Sequence, residues 1–400
     1  MKKVFFYVSS ILIVLASCKK DFTDHLLDSD NASPDNYTST TKGQKFGALI
    51  NMAHRYATDD YTETVYGVPD SIKIKLAQQY GVKYYRLAIT HDSEWTDVSK
   101  KAAFLNSYRL FYDSGFSILL NVKYKNPGGS KIAFPDSALY RSFLAQVLDS
   151  LGSKKPASVY VENEETNMTY FNFTTLAGFE KYIPVLKGAV AECHSRSILI
   201  TNGGLIMPAL IPITWDWLKS RHPGDTALTN GFARKALGPN KATALINGGM
   251  NALINVFKPA VDDYAASGID YINMHWYEPV ILASWNDAVD GSSAGVDQTT
   301  VVPGVFDSVV SYLDAKFSVP ILTNETGQLT SSDALTNSIM TRYLYYQALG
   351  SNFFPVVGWY DGDGQEQYTA YALHNAYKNL LNKYSYSLRS TGTAFKTKLQ

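Results

Sequence analysis

Short apolar runs recur eight times along this chain, and longer segments whose apolar residues return at helical spacing follow them. The runs are 46–52, 83–89, 117–122, 158–163, 197–202, 271–276, 320–325 and 354–360. The helical segments are 69–80, 99–114, 136–151, 174–193, 247–267, 303–316, 332–349 and 368–383. Runs such as "SILLNV" and "SILITN" are apolar without strict alternation, as expected of strands buried on both faces. Parallel strands need a long crossover, usually a helix, so the two periods fit together. Eight β-α units in one domain is the count of an α/β (β/α)8 TIM barrel. The alternative is a doubly wound open sheet, but no Gly-rich phosphate loop follows the first run. Two connections are long, 203–246 and 277–302, and in a barrel both would cover the C-terminal face of the strands. They carry Trp215, Trp217 and Trp285, candidates for outer binding subsites or for packing.

The ends of the chain have a different character. Met1-Lys2-Lys3 followed by the apolar run 4–16 has the form of a secretory leader, too short to cross a membrane comfortably. It ends in Leu15-Ala16-Ser17-Cys18, which resembles a lipobox cut before a lipidated Cys18. Lys19-Lys20-Asp21 then resembles the charged signal of surface-exported lipoproteins of Bacteroidetes. The expected layout is a signal peptide at 1–17, Cys18 with a polar tether to 44, a catalytic-type domain at 45–384 and a polar tail at 385–400. The expected location is extracytoplasmic, on the outer membrane through an anchor on Cys18. Cys193 then has no partner, so a large core rather than a disulfide must supply stability. Lys+Arg and Asp+Glu are 36 each, which argues against a nucleic-acid partner. The oligomeric state is left open.

The last residues of each run carry the chemistry, because in a barrel they line the mouth. Run two holds Arg86 and leads into His91-Asp92-Ser93-Glu94-Trp95; run four ends in Asn163, followed by Glu164; run five ends in Asn202. Run six leads through His275 to Tyr277, run seven ends in Asn324-Glu325, and run eight holds Trp359. Strands four and seven lie three apart around an eight-stranded ring, so Glu164 and Glu325 face each other across the mouth. Two carboxylates across a cleft are what glycosidic cleavage needs: one protonates the leaving oxygen, the other attacks the anomeric carbon or activates water. The bland alternative is a pair of strand-end acids bridged for stability. Glu162 and Glu165 crowd Glu164, would favour its protonated form by like-charge repulsion, and are themselves alternatives as the acid. A metal-dependent site is not indicated, since the seven His are scattered and no zinc-type Cys/His spacing occurs. No Gly-x-Ser-x-Gly elbow is present, and no cofactor is expected.

Taken in order, "YYRLAI", "VENEETN", His275-x-Tyr277, "ILTNETG" and Trp359 resemble glycoside hydrolases of clan A, the retaining (β/α)8 glycosidases, over roughly residues 45–380. The resemblance implies Glu164 as acid/base and Glu325 as nucleophile. It implies that Arg86 keeps Glu325 ionised and that Tyr277 hydrogen-bonds it. It also implies that His275 and Asn163 contact sugar hydroxyls and that Trp359 floors the subsite. Asn202 and Trp95 join these as candidate substrate-binding residues by their positions at strand ends. The clan usually has Pro after the acid/base; here Glu165 stands there. The expected activity is hydrolysis of O-glycosidic bonds in an extracellular or periplasmic poly- or oligosaccharide. A non-catalytic glycan-binding lipoprotein and a transglycosylase are the alternatives.

Overall fold

The computed structural model describes residues 46–49, parts of 70–78, 81–127, 130–278, 304–328, 333–349 and 353–360. The leader, Cys18, the tether, Trp285, the segment 368–383 and the tail lie outside the described residues. One sheet holds β1 (Phe46–Leu49), β2 (Tyr84–Thr90), β3 (Ser117–Lys123), β4 (Ser158–Val161), β5 (Leu199–Asn202), β6 (Ile272–Glu278), β7 (Ile321–Gln328) and β8 (Phe353–Tyr360). Every hydrogen-bonded pair is parallel, in the order β5-β4-β3-β2-β1-β8-β7-β6. Each expected run thus contributes a strand, with ends displaced by a few residues.

Helices connect the strands. They are α1 (Val98–Asp113), α2 (Ser137–Leu151), α3 (Leu176–Phe179), α4 (Tyr182–His194), α5 (Met207–Arg221), α6 (Thr226–Ile246), α7 (Asn251–Ala265), α8 (Val305–Lys316) and α9 (Asp333–Leu349). Asp97 and Asp136 start α1 and α2 by accepting from the free amides of the first turn, Asp136 from Ala138 N at 2.8 Å. Tyr140 of α2 and Tyr182 of α4 fasten their helices to strand carbonyls, donating to Val122 O at 2.7 Å and Val161 O at 2.8 Å.

The sheet is strongly curled. β5 and β6, at opposite ends of the strand order, meet at the parallel bridges Thr201↔Tyr271 and Leu205↔Met274. On the inner face Leu119, Tyr160, Leu322 and Val356, from β3, β4, β7 and β8, form one buried cluster. Strands lie about 4.8 Å apart, so a flat sheet would hold β4 and β7 far from contact. The outer face packs against the helices in a much larger core.

Two expectations change. The connection 203–246 is not an open loop but α5 and α6, with a break at Gly238 (φ 69°, ψ 170°) before Pro239. Pro208 disguised the start of α5, yet it sits in the first turn, where a missing N–H costs nothing. Trp215 is consequently buried, and Trp217 packs against the core. Trp95 is also corrected from substrate contact to core: it is 6% exposed, packs edge-on against Phe143 and donates its indole N–H to Gln146.

Candidate active site

The C-terminal ends of β4, β6 and β7, with Arg86 reaching up from inside β2, bring Arg86, Asn163, Glu164, His275, Tyr277 and Glu325 together. Carboxylate oxygens of Glu164 and Glu325 and a ring nitrogen of His275 all lie within 4.8 Å of one another. Arg86 is the hub beneath. Buried at 5% exposure, it donates Nη1 to Glu325, Nη2 to Asn163 Oδ1 at 2.6 Å and Nε to Asn121 Oδ1. Tyr277 donates its phenol to the other oxygen of Glu325. Burial opposes ionisation of Glu325, but His275, Arg86 and Tyr277 outweigh it and hold the carboxyl down at about 2. It is an anion at any ordinary pH, with one oxygen on a guanidinium and one on a phenol. The three ligand-type side chains would suit a cation by spacing, but Arg86 already neutralises Glu325 and would repel one.

Strand β4 stops at Val161 because the chain turns left-handed at Glu162 (φ 66°) and again at Glu164 (φ 49°). Non-glycine residues adopt that conformation at a cost of about 1–3 kcal/mol each, which surrounding contacts must offset. Strand parity therefore does not decide which glutamate faces the cleft. Glu162 is buried and accepts from Tyr124 N at 2.9 Å; burial pushes its carboxyl up to about 8. Glu165 is fully buried, accepts from Asn202 Nδ2 and Tyr264 Oη at 2.8 Å each, and burial raises its pKa too. Glu164 alone of the three is partly open, 14% exposed, with Oε2 accepting from Asn167 Nδ2 at 2.8 Å. Its other oxygen faces His275 Nδ1 at 3.2 Å.

His275 lies under the two carboxylates, 1% exposed, rather than at a sugar hydroxyl. That corrects the expected role, because both ring nitrogens are engaged by protein. The protonation of the ring follows from the network below it. Arg86 Nε can only donate, so Asn121 presents Oδ1 to it. Asn324 then donates Nδ2 to that oxygen at 2.9 Å and turns its own Oδ1 to His275 Nε2 at 2.8 Å. Asn273 agrees, donating Nδ2 to the same Oδ1 at 2.8 Å. Nε2 therefore carries a proton. The Nδ1–Glu164 contact must also hold one proton: imidazolium against carboxylate, or neutral imidazole against carboxylic acid. Burial disfavours the imidazolium, but Glu325 and Glu164 outweigh it and raise the pKa of His275.

Asn202 is a second correction. It is fully buried, with Nδ2 on Glu165 and Asn273 O and Oδ1 on Asn273 N, leaving nothing for a substrate. It extends the same layer, so Asn121, Asn324, Asn273 and Asn202 run from Arg86 to Glu165 across the inside of the sheet. Three of these asparagines escaped assignment as site residues; the signal was an amide inside each of three apolar runs, "LLNV", "YINM" and "ILTN". Gly204 was also missed. Its φ is +133°, and a Cβ there would lie 2.3 Å from His275 Nε2, so glycine gives the imidazole its space. Asn163 keeps the expected neighbourhood, with no partner on Nδ2 among the described residues. Trp359 pairs with Ala48 and Thr326 in β8, and its side chain lies outside the described residues.

No family model and no curated protein sequence matches this chain. Solved structures do. An endo-beta-1,4-glucanase from Xanthomonas axonopodis pv. citri superposes with a TM-score of 0.51 at 10% identity, over 89% of this chain and 98% of the other. A glycoside hydrolase family 5 enzyme from Prevotella bryantii B14 gives 0.49 at 12%, over 95% and 100%. A fungal beta-1,4-galactanase gives 0.49 at 11%, over 88% and 99%. At such identities the shared property is the fold, and the first of these carries it.

Proposed function

We propose that this chain is a retaining glycoside hydrolase working by double displacement at Glu325 and Glu164, on a sheet closed as a (β/α)8 barrel. The observation that carries this reading is the asymmetry of the pair. Two carboxylate oxygens lie within 4.8 Å, one clamped as an anion by Arg86 and Tyr277, the other sharing a proton with a buried imidazole. So short a separation suits attack by a carboxylate, whereas inversion needs room for a water, about 6.5–9.5 Å. Glu325 attacks the anomeric carbon while Glu164 gives its proton to the leaving oxygen. A glycosyl ester on Glu325 and the released alcohol result. Glu164 then takes a proton from water, whose oxygen displaces Glu325 from the same carbon.

His275 holds Glu164 in place for this return: Nε2 is pinned as a donor to Asn324 Oδ1, and Nδ1 faces Glu164 Oε1 at 3.2 Å. The lipobox-like 15–18 and the polar tether support an outer-membrane anchor on Cys18 and a poly- or oligosaccharide met outside the cytoplasm. The test is Glu164→Ala and Glu325→Ala in a screen of polysaccharides and aryl glycosides. Each variant should lose at least about a hundredfold in rate. Full activity in either sinks the assignment, and glycan binding without turnover by the wild type would favour a binding protein.

A further inference from the structure

Lys123 is the last residue of β3, and the reaction described above gives it no task. Leu119 and Asn121 of the same strand point into the sheet interior, the first into the inner cluster and the second onto Arg86. Alternation puts Lys123 on that face too, about 7 Å further toward the strand ends than Asn121. Its ammonium thus rises beside the mouth, next to the layer that holds Arg86 and Glu325. The residue is partly buried, and among the described residues its one hydrogen bond is to Asn126 Oδ1, at 3.1 Å. The carboxylates whose field it feels are Glu94, Glu162 and Glu325. Each is held by another donor: Glu94 by Thr90 N, Glu162 by Tyr124 N, Glu325 by Arg86 and Tyr277. No ion pair to Lys123 forms among the described residues. The stem is partly buried while the ammonium's bond to Asn126 is exposed, so a charged donor with no carboxylate bonded to it is presented to whatever enters beside the mouth. Burial accordingly pushes its pKa below the ordinary lysine value.

We infer that Lys123 reads an anionic substituent, a carboxylate or a sulfate ester, on a sugar ring beside the bond that is cut. This rests on the glycosidase reading and narrows its substrates to acidic glycans. Asn126, which accepts from Lys123 and donates to Ser93 Oγ at 3.3 Å, would steady the ammonium while the anion supplies the missing charge.

The experiment is affinity electrophoresis of the full chain, wild type, Lys123→Met and Lys123→Arg. The gels contain polygalacturonate, its carboxyl-reduced neutral counterpart, chondroitin sulfate or desulfated chondroitin. Turnover of the same polymers is followed in parallel. Wild type should be retarded more by polygalacturonate than by its neutral counterpart, or more by chondroitin sulfate than by desulfated chondroitin, which keeps its uronate carboxylates. Lys123→Met should weaken that binding about tenfold, the loss of one charged hydrogen bond, and Lys123→Arg should restore most of it. Preference for polygalacturonate assigns a uronate; preference lost only on desulfation assigns a sulfate. Equal retardation on charged and neutral polymers, no retardation on any, or an unchanged preference in Lys123→Met overturns the inference. Turnover of neutral polymers with no Lys123 effect leaves the glycosidase standing, whereas Lys123-dependent binding without any turnover removes the glycosidase alone.

Discussion

Replacing Arg86 by Met removes the cation that holds Glu325 ionised, and the effect has a definite pH signature. Glu325 sits at about 2 against an ordinary 4.5. A carboxyl depressed this far contributes about 3 kcal/mol to folding at neutral pH. The sign is that of any depressed acid: the contribution is complete above about pH 4.5 and is lost as pH falls toward 2. In Arg86→Met, burial, the largest influence on Glu325, is opposed only by His275 and Tyr277, so its pKa rises. Breaking a buried pair from one side costs about 3–5 kcal/mol, and the side chains of Arg86 and Glu325 are 6% and 15% exposed. Part of that cost is the unpaired anion, which protonation relieves. Urea unfolding of wild type and variant at pH 7, 5 and 3.5 should therefore show a stability gap that narrows on acidification by roughly 1–2 kcal/mol. His275, whose protonation Arg86 opposes, shifts upward in the variant and narrows the gap in the same direction, while groups that do not feel Arg86 cancel in the difference. Rates should follow, with the acid limb of kcat/KM displaced upward in the variant. A gap that stays constant from pH 7 to 3.5 would refute the claim that Arg86 acts on the charge of Glu325.

Two further outcomes bear on His275. Gly204→Ala places a methyl 2.3 Å from Nε2 at a φ of +133°, so it should abolish turnover while lowering the unfolding free energy by only about 1–3 kcal/mol; unimpaired turnover would show that the imidazole position is not needed. Nitrogen NMR of His275 should find Nε2 protonated from pH 5 to 9, as the asparagine layer requires; an unprotonated Nε2 in that range would break the reading of the network.

The fold was legible because β3, β4 and β7 announce themselves as apolar runs whatever their neighbours do. The pair Glu164–Glu325 was legible for the same reason, since strand ends in such a topology share one rim. What the sequence hid was non-local or conformational. The left-handed turns at Glu162 and Glu164 carry no glycine to mark them, and they decide which of three crowded acids reaches the cleft. Asn202 was misplaced because an amide at a strand end reads alike whether it meets a ligand or Asn273. Trp95 was misplaced because its partner Phe143 comes from α2, 48 residues on in the chain. The layer from Asn121 to Asn202 joins four strands, and no one strand displays it.

The central claim is that Glu325 attacks carbon while Glu164 manages the proton, and the first-formed product reports on it directly. Proton NMR of the reducing sugar, recorded before mutarotation, on whichever polymer the chain cleaves should show the anomer of the original bond. The opposite anomer would mean a single displacement by water and would contradict the account.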